Sequence, residues 1–113
     1  MEYSILEKEN CVVVALRGQI LGGPSANEFR QKVSSLIEEG KTNLIGDLSE
    51  VSFMNSSGLG TMIATLTSLR KEGGDFKLCS APDRIKSLLK ISKLFTVFDL
   101  HETLDEAIKS YKD

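Results

Sequence analysis

One stretch constrains this chain more than any other. From Asn43 to Arg70, a short apolar run passes through a serine- and glycine-rich turn into a long helical pattern. Leu44, Ile45 and Leu48 form the run and have the character of a buried strand. Asn55, Ser56 and Ser57 follow, short polar side chains that accept bonds from the unpaired amides of a first helical turn. Leu59, Met62, Ile63, Leu66 and Leu69 then recur three and four apart, which predicts one buried helix face. Gly58 and Gly60 stand inside the first turn, where each costs about 1 kcal/mol relative to alanine. Their presence predicts that another group approaches the backbone closely there, and marks this turn as the functional centre.

The flanking sequence alternates between strand and helix patterns. Tyr3–Glu7 reads as a strand, then a polar turn, then the continuous β-branched strand Cys11–Leu16, of the kind covered on both faces. Gly18 is expected to end that strand, with Gln19–Pro24 as a loop. Pro24 and Ser25 open a helix that buries Ala26, Phe29, Val33, Leu36 and Ile37, and Gly40 stops it. After the central helix, Gly73-Gly74 leads to a strand at Phe76–Cys79, and Ala81-Pro82-Asp83 begins a short helix facing Ile85, Leu88, Leu89 and Ile91 inward. Phe95, Val97 and Phe98 read as a short strand or extended segment. Thr103–Tyr111 closes the chain as a helix with Leu104, Ala107 and Ile108 buried and acidic residues in its early turns. The order implies an α/β fold, a mixed but mostly parallel sheet of about five strands flanked by about four helices. Residues 1–113 carry no repeat or linker and read as a single domain.

Composition narrows the function classes. A formal net charge of −2 gives no electrostatic case for direct nucleic-acid or anionic-membrane binding. No signal peptide is apparent, and the longest apolar run, Cys11–Leu16, is far shorter than the roughly 20 residues of a spanning helix. Cys11 and Cys79 read as reduced, small apolar residues, which fits a cytoplasmic protein. One histidine and two cysteines offer no metal site, so neither a metal nor another cofactor is expected.

Catalytic patterns fare poorly. His101 has no serine or cysteine at a familiar spacing. Asp47 and Glu50 are strand-end carboxylates without a recognisable substrate pocket beside them. A phosphate-binding loop would end in lysine and then Ser or Thr, whereas Thr61-Met62 stands there. A hydrolase elbow needs a glycine two residues before its serine, and Met54 occupies that place relative to Ser56. No catalytic residue is therefore assigned. A serine at a helix start can instead be a substrate: phosphorylation adds about −1.5 to −2 charges, and first-turn amides can solvate part of them. From spacing alone, the simpler role of Ser56 and Ser57 is to cap the helix.

Val51-Ser52-Phe53-Met54-Asn55-Ser56-Ser57-Gly58-Leu59-Gly60 closely resembles the signature of the anti-sigma-factor antagonists, the bacterial STAS domain. The similarity extends over most of the chain: Val12–Gly18, Ser25-Ala26 with Phe29, Asp47-Leu48, Gly73-Gly74 with Phe76-Lys77-Leu78, and Ile85–Phe95. The resemblance implies a single STAS-like domain and a regulator without catalysis of its own. Ser56 matches the serine phosphorylated by an anti-sigma factor that is also a serine kinase. Unphosphorylated antagonist binds that partner and frees a sigma factor; a phosphoserine phosphatase reverses the block. Asn55, Ser57, Gly58 and Leu59 would face the partner, with Ile20, Gly22 and Gly23 on the neighbouring loop. A monomer or weak dimer is expected. Two departures stand out: Asn55 replaces the usual aspartate, and the family's Gly-Glu-Leu-Asp segment reads Gly18-Gln19-Ile20-Leu21 followed by Gly22-Gly23-Pro24. Loss of those loop acids leaves open a constitutive STAS scaffold in a transport or signalling assembly. The glycine-flanked helix start leaves open a small-ligand or nucleotide-binding domain.

Overall fold

The computed structural model describes residues 1–111. The strands are β1 (Glu2–Glu7), β2 (Val12–Ile20), β3 (Asn43–Met54), β4 (Asp75–Cys79) and β5 (Leu100–His101), and they lie side by side in that order. β1 pairs antiparallel with β2, and every later pair is parallel. The helices are α1 (Pro24–Glu38), α2 (Ser56–Lys71), α3 (Asp83–Ile91) and α4 (Leu104–Ser110). Right-handed crossovers that step one way across a sheet deliver their helices to one face. Phe29, Val33 and Leu36 of α1, Met62, Leu66 and Leu69 of α2, and Ile85 and Leu89 of α3 accordingly share one core with Val12, Val14, Leu16, Leu44, Leu48, Phe76 and Leu78. α4 follows the last strand and covers part of the other face, where Ala107 meets Cys11, Val13, Ile45 and Cys79.

The expected α/β architecture is observed, with local differences. Gly18 does not end its strand. β2 continues through Gln19 to Ile20, with Gly18 at φ +82°. Along the β2–β3 pair the register shifts twice, between Ala15 and Arg17 and between Gly18 and Gln19, each time placing an extra residue on β3. The burial pattern of β3 changes along its length, from the continuous run Leu44, Ile45 and Gly46 to Leu48, Val51 and Met54 at every third position. The segment Phe95–Phe98 is not extended: Leu94–Thr96 forms a 3-10 turn, and the final strand lies further on at Leu100–His101. Only Phe98 of that aromatic group is buried, stacked edge-on against Phe76 at 6.4 Å. Ile91, expected to face inward, is 81% exposed because α3 ends there.

The second face is held by polar contacts as well as apolar ones. The Tyr111 hydroxyl donates to the Leu44 carbonyl at 2.7 Å and to that of Asp75 at 3.0 Å. Lys77 lies 4.2 Å from the centre of the Tyr111 ring and pairs with Asp99 at 3.4 Å. Cys11 and Cys79 are both buried, and neither forms a disulfide. Burial pushes the Cys79 thiol up to about 11, so it stays a protonated, apolar filler.

Candidate functional site

The turn between β3 and α2 begins with Asn55, whose extended backbone (φ −97°, ψ −178°) stops the strand and starts the helix. Its side-chain Oδ1 accepts the Gly58 amide at 2.8 Å, and its own amide donates to the Ile20 carbonyl at 3.3 Å. Ser56 and Ser57 occupy the first helical positions with both side chains exposed. Their amides have no helical carbonyl four residues back and point out of the helix start, as helix geometry requires. Leu59 closes the first turn by donating to the Asn55 carbonyl at 2.9 Å and is half-buried against the main core.

The two glycines have different reasons to be there. A Cβ on Gly58 would overlap the carbonyl oxygen of Ile20, so this position must be glycine for α2 to reach the end of β2. A Cβ on Gly60 would meet nothing within 4 Å. The close approach anticipated for this turn is therefore made by the chain's own backbone at Gly58, while Gly60 opens to the surface.

The second loop lies directly beside the first. Gly22 is half-buried against Ser57, and Gly23 is exposed with φ +96°. Of the residues expected to face a partner, Asn55, Ser57, Leu59, Gly22 and Gly23 gather around Ser56 with at least part of their surface accessible. Two do not. Ile20 is fully buried in the main core because β2 extends to it, so its side chain has no surface to offer, and this expectation is corrected. Gly58 is buried under the Ile20 carbonyl and serves packing rather than contact.

Sequence patterning missed two apolar residues near the turn. Phe53 is 40% exposed, because Met54 takes the core position after the second register shift. Ile63, expected on the buried face of α2, is 36% exposed and lies two helical turns along from Ser56. Thr61 and Thr65 fill that buried stripe instead, each hydroxyl donating to a carbonyl one turn back, at 3.1 and 2.9 Å. The repeat of Thr61, Thr65 and Leu69 at four-residue intervals was the available signal for rotating the helix. Charge is absent throughout: neither 18–25 nor 51–69 contains an ionisable side chain. A cleft of about 420 Å³ lies apart from this turn, between α3 and β5, lined in part by Lys86, Lys90, Phe95 and His101.

Residues 2–107 match the STAS domain family. The chain belongs to that family. Among its relatives, this STAS protein is 33% identical over 96 residues to the anti-sigma-B factor antagonist of Bacillus subtilis, spanning 85% of this chain and 86% of the other. An anti-sigma factor antagonist from Mycobacterium paratuberculosis has a crystal structure that superposes with a TM-score of 0.79 at 27% identity, covering 99% and 94% of the two chains. The Bacillus cell fate determinant SpoIIAA in its phosphorylated form superposes with a TM-score of 0.76 at 25% identity, covering 98% and 100%.

Proposed function

We propose that this STAS protein is an anti-sigma factor antagonist switched by phosphorylation of Ser56. Unphosphorylated, it binds in the cytoplasm to an anti-sigma factor that is also a serine kinase, and a sigma factor is released. Phosphorylated, it lets go, and a phosphoserine phosphatase resets it. It acts as a binding module, with Ser56 as a substrate and no catalytic residue of its own.

The observation that carries this reading is the exposed Ser56 hydroxyl on the first residue of a helix whose first turn holds no acidic group. A phosphate there would bring about −1.5 to −2 charges. The positive end of α2 and the outward amides of Ser56 and Ser57 can stabilise that charge, while Asn55 continues to cap the Gly58 amide. The fold therefore has no reason to open. A partner seated on Asn55, Ser57, Leu59, Gly22 and Gly23 would have to desolvate the new dianion, and about 1.4 kcal/mol of that cost already lowers affinity tenfold. The antagonist names of the relatives support the same role.

Mass spectrometry of the protein recovered from its own cells tests the assignment. One phosphate on Ser56 is expected, lost in Ser56→Ala and retained in Ser57→Ala. Phosphate uptake undiminished by Ser56→Ala would overturn it.

A further inference from the structure

We propose that Gly22 is a positioning residue for the switch: the side chain it lacks allows Ser57, and with it the first turn of α2, to seat against the β2–α1 turn and present Ser56. The proposal rests on the reading of Ser56 as phospho-acceptor. A Cβ on Gly22 would stand 2.8 Å from the Ser57 Cβ, closer than real Cβ atoms come, and 3.4 Å from its Oγ. The atom it meets is itself a Cβ, fixed to the backbone, so no rotamer change relieves the collision. Either the start of α2 or the 21–23 segment has to move. That start is already pinned on the same strand end, by the Gly58 contact with the Ile20 carbonyl and the Asn55 amide bonded to the same oxygen. Those contacts tie the first turn to the strand end that leads straight into Gly22, so an added methyl at position 22 forces the first turn and the 21–23 segment apart across that joint, and the setting of Ser56 against the β2–α1 turn changes. Backbone strain plays no part, because Gly22 lies outside the left-handed region that Gly23 occupies. The bulk allowed at positions 22 and 57 is thus shared, and Gly22→Ala combined with Ser57→Gly removes the collision while leaving Ser56 in place.

Phosphate incorporation at Ser56 is followed by mass spectrometry in an extract of the protein's own cells supplied with ATP, with amide NMR spectra of each variant alongside. Gly22→Ala is expected to slow incorporation about tenfold, the scale of a sub-ångström misplacement of a reacting group. Adding Ser57→Gly is expected to restore the rate to within about twofold of Ser57→Gly alone. Wild-type incorporation by Gly22→Ala, or a loss that Ser57→Gly does not rescue, overturns the proposal. If the wild-type protein takes up no phosphate at Ser56, the functional reading fails instead. The positioning claim then stands or falls on the Ser56 and Ser57 amide shifts, which Gly22→Ala must displace and the double variant restore. Should Gly22→Ala not fold, recovery of the native spectrum by the double variant supports the proposal and failure to recover it overturns it.

Discussion

The starts of α2 and α4 are both capped by a side chain. Asn55 Oδ1 accepts the Gly58 amide at 2.8 Å, and Thr103 Oγ1 accepts the Glu106 amide at 3.1 Å. Beyond the cap they diverge. α4 carries Asp105 and Glu106 in its first turn, and the Glu106 carboxylate reaches back to the Thr103 amide at 3.2 Å to complete a capping box. Its positive end is already supplied with negative charge, and a further anion there would be repelled. α2 has no acid in its first turn; it is held by a backbone contact between Gly58 and Ile20 and by a neutral amide cap. The difference teaches how a helix start stays ordered and yet keeps room for an added charge: the ordering comes from close packing, and the electrostatic demand is left unmet.

The largest expected effect breaks that packing. Gly58→Ala drives a methyl into the Ile20 carbonyl and should lower stability by about 3 kcal/mol in chemical denaturation, the upper range for overpacking. Gly60→Ala, facing open space in the same turn, should instead raise it by about 0.5–1 kcal/mol. If both lose stability equally, the contact with β2 is not what holds α2. Next in size is the charge itself. Ser56→Asp should weaken docking to the anti-sigma factor about tenfold by calorimetry while raising the melting temperature slightly, through about 0.3–1 kcal/mol of dipole stabilisation. Equal affinity for the partner would remove the electrostatic switch. The caps should then prove comparable, Asn55→Ala and Thr103→Ala each costing about 1 kcal/mol in unfolding experiments; a cost confined to Thr103 would mean that the glycine seat orders α2 without Asn55.

The smallest effect separates the charged side of the molecule from the neutral one. Partial burial would raise the Asp99 carboxyl, but His101 at 3.1 Å and Lys77 outweigh it and hold the group below its ordinary value. A depressed carboxyl stabilises the fold above its unfolded value and loses that contribution as pH falls through the folded one. Stability should therefore decline in this acid range, and Asp99→Asn should flatten the decline in acid titrations followed by circular dichroism. The effect should be modest, since Asp99 is half exposed and screened by solvent. The neutral 51–69 segment should contribute nothing to it.

Much of this was legible in the chain before folding. Alternating strand and helix periods dictated an α/β sheet, and the spacing of Phe29, Val33 and Leu36 dictated which side of α1 is inward. The run from Asn55 to Gly60 marked the helix start and its polar chemistry. Local periodicity can do this because it reports which side chains of one element share a face. It does not report which backbone another element touches. That Gly58 is seated on Ile20, that Ser57 lies against Gly22, and that Phe53 is turned outward all depend on two extra residues in the β3 ladder. Those bulges shift register only when β2 and β3 are paired, so the geometry of the site was decided by tertiary structure.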